Sequence, residues 1–160
     1  MIPAPSYDQI DRILNEESFR FGGGFAEGVP KTTRTIGFIL FDQNFGRNSI
    51  RDLVGNLDML NVHSGTHIHF FLCGVSRYGG NDLAARELGS LNGAALYHNA
   101  EAAFSFVNAF QREIPGWSYD LGFELVLVDV KEGAIVRKLD FASAVFFTVE
   151  ELIKVGIIER

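Results

Sequence analysis

The chain has 160 residues, 47% of them hydrophobic, and a formal net charge of −6. This length predicts a single domain, residues 1–160, that needs neither a disulfide nor a structural metal to fold, and one cysteine excludes an internal disulfide. The acidic balance argues against a nucleic-acid partner, because it repels a phosphate backbone. The apolar stretches IGFILF and HFFLCGV are too short to span a bilayer. We therefore expect a soluble, cytoplasmic, acidic protein without a membrane partner.

The N-terminal segment, residues 1–34, predicts a short helix followed by a glycine-rich aromatic arm. Ser6 is placed to cap the helix, and Ile10, Ile13 and Leu14 fall on one of its faces. The stretch SFRFGGGFAEGVPKTT follows, and its glycines and proline predict a loop. Its rings, which we expect to pack on the domain or on a partner, are Phe19, Phe21 and Phe25.

The next segment predicts a βαβ unit. Residues 34–42, RTIGFILFD, form a strand that is apolar at nearly every position, as in a central strand covered on both faces. A capping box at Ser49 and Asp52 and apolar residues at three- and four-residue steps predict a helix that ends before His63. Residues 66–75, THIHFFLCGV, predict a second strand, parallel to the first through a right-handed crossover.

The second half of the chain predicts shorter elements and one long helix. A short helix over residues 82–88 and a brief strand in GAALYHN precede the long helix, which Asn99 caps. FELVLVDV, residues 123–130, and AIVRKLDF predict a hairpin. A capping box at Thr148 and Glu151 starts the final helix.

This order of elements predicts an α/β domain with a mixed sheet of four to five strands and helices on both faces. A βαβ half followed by a ββα half is the order of thioredoxin-like folds. The redox CxxC motif is absent because Cys73 stands alone, so no redox function follows from that likeness.

Three histidines in HSGTHIHFFLC suggest a metal site. His67 and His69 share one face of the second strand, two residues apart, and His63 precedes it on a loop. Three histidines and a water are an open zinc geometry that acidifies the bound water, as in a small metal-dependent hydrolase. The competing interpretation is that the rings pack in the fold without metal, because no acidic residue follows at close spacing. We expect no cofactor, with zinc as the alternative.

A second candidate site lies where the first strand ends. Ligands of α/β sheets bind beyond the carboxyl ends of strands, near helix N-termini. This edge predicts a site for an anionic ligand in which Asp42 holds a cation or acts as a base and Arg47 binds the anion. The candidate residues are Asp42, Arg47, Asn48, Ser49 and Arg77. The competing interpretation is that they cap the helix and pair with one another on the surface.

Aromatic residues at loops predict a protein interface. The turn GWSYDLG carries Trp117 and Tyr119, and the N-terminal arm carries three phenylalanines. Their alternative role is to cover sheet edges of their own chain. The sequence holds no recognisable catalytic set, so we expect a non-catalytic module that binds a protein partner or assembles into a homo-oligomer. The alternatives are the hydrolase and the anion-binding domain.

Overall fold

The computed structural model describes residues 2–4, 6–21, 24–42, 56, 62, 65–77, 85–91 and 94–154. Within these ranges the strands are β1 (Ile2–Ala4), β2 (Ser18–Phe21), β3 (Gly24–Glu27), β4 (Thr35–Leu40), β5 (Ile68–Cys73), β6 (Val75–Ser76), β7 (Arg86–Leu91), β8 (Ala94–His98), β9 (Glu124–Glu132) and β10 (Arg137–Thr148). The helices are α1 (Ile10–Asn15), which follows a 3₁₀ turn at Tyr7–Gln9, α2 (Ala100–Glu113) and α3 (Val149–Lys154).

The main sheet is mixed, with the strand order β1-β5-β4-β9-β10 among the described residues. Strand β5 runs parallel to both β1 and β4, whereas β9 runs antiparallel to β4 and pairs with β10 in a hairpin. Phe38 in β4 stands opposite Phe71 on one side and Val126 on the other. The predicted parallel pair, the predicted hairpin and the mixed sheet are therefore confirmed.

Phenylalanines form the centre of the core on one face of this sheet. Phe38 is fully buried, and its ring centroid lies 5.0 Å from that of Phe110, 5.8 Å from that of Phe71 and 6.1 Å from that of Phe106. Edge-on and stacked contacts of this kind stabilise the fold beyond the area that they bury. The apolar faces of α1 and α2 both pack here, as their residue spacing predicts.

The other face of the sheet packs against the three-stranded sheet β6-β8-β7. Leu72 and Phe70 of β5 lie in one cluster with Leu96 of β8, and Leu88 of β7 packs against it. The ring of Phe70 lies over Gly37, where an added Cβ would meet it at 2.4 Å. Among the described residues the two helices α1 and α2 lie on the first face, so helices on both faces are not shown.

Four sequence-based expectations differ from the structure or lie outside it. The predicted loop after α1 contains the antiparallel hairpin β2–β3. Residues 86–88, predicted as helix, belong to strand β7. Ser6 makes no cap to the first helical turn, because its hydroxyl donates to the carboxylate of Asp8. Of the helix predicted after Ser49, Asn56 and Val62 are described, and both are helical.

A buried arginine ties the start of β10 to the end of α1. The guanidinium of Arg137 donates to the backbone carbonyls of Leu14 (3.0 Å), Val29 (2.9 Å) and Pro30 (3.0 Å). The side-chain amide of Asn15 pairs with the backbone N–H (2.7 Å) and carbonyl (3.1 Å) of Arg137. The arginine thus satisfies a carbonyl that the last turn of α1 leaves without a helical partner.

Candidate ligand-binding site

A cavity of about 330 Å³ lies where β4 ends and α2 begins. Its walls come from the end of β4 and the residues after it, from the end of β8, from the first two turns of α2 and from the loop before β9. The lining residues are Leu40, Phe41, Asp42, His98, Ala100, Ala103, Phe104, Val107, Tyr119 and Leu121. The walls are mostly apolar with a few polar groups, which is the usual character of a small-molecule site.

His98 is the most unusual of these side chains. It is 1% exposed, and its ring packs on Phe41 with centroids 4.8 Å apart. Within the described part of the chain, neither ring nitrogen has a hydrogen-bond partner, and each exposes less than 1 Å². Burial lowers the pKa of His98 to about 4, and the charge of Asp42 opposes part of this shift. The imidazole is therefore neutral at neutral pH, with one donor and one acceptor nitrogen.

The N-terminus of α2 borders the cavity, and Asn99 caps it as the sequence predicts. The Asn99 Oδ1 accepts a hydrogen bond from the backbone N–H of Ala102 at 2.9 Å, and its own backbone N–H donates to the carbonyl of Gly74 at 2.9 Å. Two of the four N–H groups that a helix start leaves unpaired are thus satisfied by protein groups. Glu101 in the same turn adds a negative charge.

The loop before β9 forms one rim of the cavity. Tyr119 donates its hydroxyl to the carbonyl of Gly122 at 2.6 Å, and burial, followed by the charge of Asp42, raises the pKa of Tyr119. Between them, Leu121 adopts a φ of 58°, a left-handed conformation that costs a leucine about 1–2 kcal/mol. Leu121 is also 56% exposed, so the rim combines a strained backbone with an exposed apolar side chain.

A second hydrogen bond holds this loop against the sheet. Trp117 donates its indole N–H to the buried carboxylate of Glu124 at 2.6 Å, and burial raises the pKa of that carboxyl group. The Trp117 ring also packs edge-on against Phe110 and stacks near Tyr119 and Phe146. The two predicted interface aromatics of this turn are thus half-buried in their own chain, and a partner contact for them stays a prediction.

The predicted strand-edge site is present only in part within the described residues. Asp42 is half-buried and lines the cavity at the end of β4, as the strand-end rule predicts. Arg77 is exposed after β6 and is not among the cavity residues. Arg47, Asn48 and Ser49 lie outside the described residues. Anion binding by Arg47 therefore stays a prediction.

The three histidines of the predicted metal site differ in their surroundings. His67 is exposed in the turn before β5 and His69 lies within β5, while His63 is outside the described residues. The ring of His69 packs against Phe71 at 5.4 Å, burial lowers its pKa to about 4, and its buried Nε2 has no partner in the described part. No group of three metal-ligating side chains occurs among the described residues. Elemental analysis tests the zinc alternative.

The three phenylalanines of the N-terminal arm and the single cysteine all lie in strands. Phe19, Phe21 and Phe25 belong to the β2–β3 hairpin, whose backbone register pairs Phe19 with Ala26. Cys73 is fully buried, and burial raises the pKa of its thiol, so it serves as a small core residue.

Sequence reasoning assigned no role to His98. Its position nevertheless points to a site, because His98 ends a strand directly before the cap of a helix. Asp42 is a candidate ligand-binding residue for the same reason, since it follows the end of a strand. The burial of His98 and its contact with Phe41 depend on long-range packing, and these are visible only in the structure.

Comparison with known proteins adds no relative, since no protein-family model, curated protein or solved structure matches the chain. No helix in the described residues is long and apolar enough to cross a membrane.

Proposed function

We propose that this chain is a non-catalytic α/β binding module that holds a small molecule in the cavity between β4 and α2. The observation that carries the proposal is His98, a buried imidazole at the cavity wall whose two nitrogens lack hydrogen-bond partners in the described part. A buried polar group left unpaired costs about 1–3 kcal/mol, so such groups are rare in folded proteins. A ligand that hydrogen-bonds to His98 recovers this cost.

The surroundings of His98 support binding more than acid–base catalysis. A general base works best when its pKa lies near the operating pH. Burial holds the pKa of His98 at about 4, so the imidazole is a weak base at neutral pH. A neutral imidazole is well suited to a fixed hydrogen bond with a ligand.

The proposal is tested by filling the cavity. Ala100 lines it, whereas Ala102 lies in the same turn of α2 and does not. A panel of small aromatic molecules is titrated into the ¹⁵N-labelled protein, and amide shifts are followed. We expect shifts around Asp42, His98 and Tyr119 in the wild type, their loss in Ala100→Leu and their retention in Ala102→Leu. Shifts that persist in Ala100→Leu, or no shifts in the wild type, contradict the proposal.

Self-association is a second proposal, in line with the predicted assembly module. Ile135 and Val136, at the turn between β9 and β10, are 95% and 41% exposed. Apolar side chains at a hairpin tip offer a small anchor for a second copy. Native mass spectrometry is expected to show an oligomer that Ile135→Lys weakens and the exposed control Ala134→Lys does not. An identical mass distribution for both variants contradicts a role for this turn, and Phe21→Ala tests the N-terminal arm in the same assay.

The finer description of the fold and the location of the protein are also proposals. The order β5-β4-β9-β10, a parallel pair beside a hairpin, supports a thioredoxin-like arrangement of these four strands. It carries no redox function, because the single cysteine is buried. The cytoplasmic location is proposed from the acidic, cysteine-poor sequence alone.

A further inference from the structure

We infer that the cavity takes an uncharged, largely apolar molecule that carries one hydroxyl group, and that this hydroxyl hydrogen-bonds to His98. The inference rests on the proposed function and adds the chemical class of the ligand. Three properties of the cavity lead to it: its charge, its hydrogen-bonding groups and its rim.

The charges around the cavity disfavour an anion. Asp42 is acidic, His98 is neutral at neutral pH, and Glu101 adds a further negative charge in the first turn of α2. The helix start would otherwise attract an anion. Here the side-chain oxygen of Asn99 accepts a hydrogen bond from the N–H of Ala102, and the backbone N–H of Asn99 donates to the carbonyl of Gly74. Within the described part of the chain, the charged side chain that lines the cavity is acidic, which disfavours a carboxylate or a phosphate.

The hydrogen-bonding capacity of His98 matches a hydroxyl. A neutral imidazole has one donating and one accepting nitrogen, and a hydroxyl can pair with either of them, because it both donates and accepts. A carboxylate only accepts, and an ammonium group only donates. Each ring nitrogen exposes less than 1 Å², so a hydroxyl reaches it only when the cavity wall moves.

The rim supplies the apolar contacts. Phe104 of α2 and Leu121 of the loop before β9 line the cavity and are 46% and 56% exposed. Left-handed φ values in residues other than glycine are concentrated at ligand clamps, and Leu121 has a φ of 58°. A volume of about 330 Å³ lies at the lower end of the range for ligand pockets, which suits a two-ring molecule.

Four naphthalene probes of similar shape test the inference by titration against the whole chain. They are 1-naphthol, naphthalene, 1-naphthoate and 1-naphthylmethylamine. We expect 1-naphthol to bind about tenfold more tightly than naphthalene, since one net hydrogen bond is worth roughly that factor, and both charged probes to bind more weakly than 1-naphthol. The preference for 1-naphthol over naphthalene is expected to disappear in His98→Leu and to persist in Ala102→Leu.

The outcomes separate the two proposals. If none of the four probes binds, the proposed function fails. If a charged probe binds more tightly than 1-naphthol, or naphthalene binds as tightly as 1-naphthol, the binding function stands and the ligand class is wrong. If His98→Leu does not fold, the ligand class is tested on the wild type alone. Tightest binding of 1-naphthol among the four probes, with a shift of the His98 ring-nitrogen signals, supports the hydroxyl class, and any other order contradicts it.

Discussion

Burial of His98 makes the stability of the fold depend on pH below neutrality. Its folded-state pKa of about 4 lies below the value of about 6.5 expected in the unfolded chain. The unfolded state therefore binds a proton between these two values while the folded state does not. The stability that the neutral His98 side chain contributes is fully present above the pKa of the unfolded state, and it is lost as the pH falls towards 4. Linkage gives a loss of about 2 kcal/mol between pH 7 and pH 5 for this one side chain.

The assay is urea-induced unfolding at both pH values, followed by circular dichroism. Replacement His98→Leu removes the titrating group, so the variant is expected to lose about 2 kcal/mol less than the wild type on acidification. His67→Gln, at an exposed histidine, is the matched control and is expected to keep the full wild-type loss. His69 has the same depressed pKa, and His69→Leu is expected to reduce the loss by a similar amount. Equal losses in the wild type and His98→Leu would show that burial of His98 does not make the fold sensitive to acid.

Three further stability predictions use the same unfolding measurement at neutral pH. Arg137→Met removes the side-chain donor to the buried carbonyls of Leu14 and Val29 and is expected to cost about 3 kcal/mol. The exposed control Lys138→Met is expected to stay within about 0.5 kcal/mol, and equal costs for the two variants would contradict this role of Arg137. Gly74 has a φ of 75°, and an added Cβ would lie 2.6 Å from a side chain of α2, so Gly74→Ala is expected to cost at least about 2 kcal/mol. Gly65 has a φ of 62° but no atom within 4 Å of an added Cβ, so Gly65→Ala is expected to cost about 1 kcal/mol. A larger cost for Gly65→Ala than for Gly74→Ala would contradict the predicted clash. Asn99→Ala removes the cap of α2 and is expected to cost about 1 kcal/mol, so an unchanged midpoint contradicts the cap.

The elements that the sequence predicts well are those with a strong local signal. The apolar run IGFILF supplies five of the six residues of the central strand β4, between β5 and β9. The period of buried residues and the cap at Asn99 define α2. One of the two hydrogen bonds of the predicted capping box is present, since the Glu151 carboxylate accepts from the backbone N–H of Thr148 at 2.8 Å.

The sequence misses two kinds of element: those whose local residue pattern fits both a loop and a strand pair, and those that depend on pairing with another strand. The glycines after Phe21 suggest a loop, yet glycines are also common between the two strands of a hairpin, and β2 and β3 do pair. Residues 86–88 contain good helix formers, and pairing with β8 overrides that preference. In the site, the strand-end rule identified Asp42, whereas the burial of His98 arises from packing between elements far apart in the chain.

Ligand binding at His98 is tested directly by a long-range ¹H–¹⁵N spectrum of the histidine rings at neutral pH, recorded with and without 1-naphthol. The chain has four histidines, so the signals can be assigned by substitution. We expect His98 to be neutral in the free protein and its ring-nitrogen signals to shift when 1-naphthol is added, while those of the exposed His67 stay unchanged. A charged His98 in the free protein, or ring signals that stay unchanged at saturating 1-naphthol, would contradict this expectation.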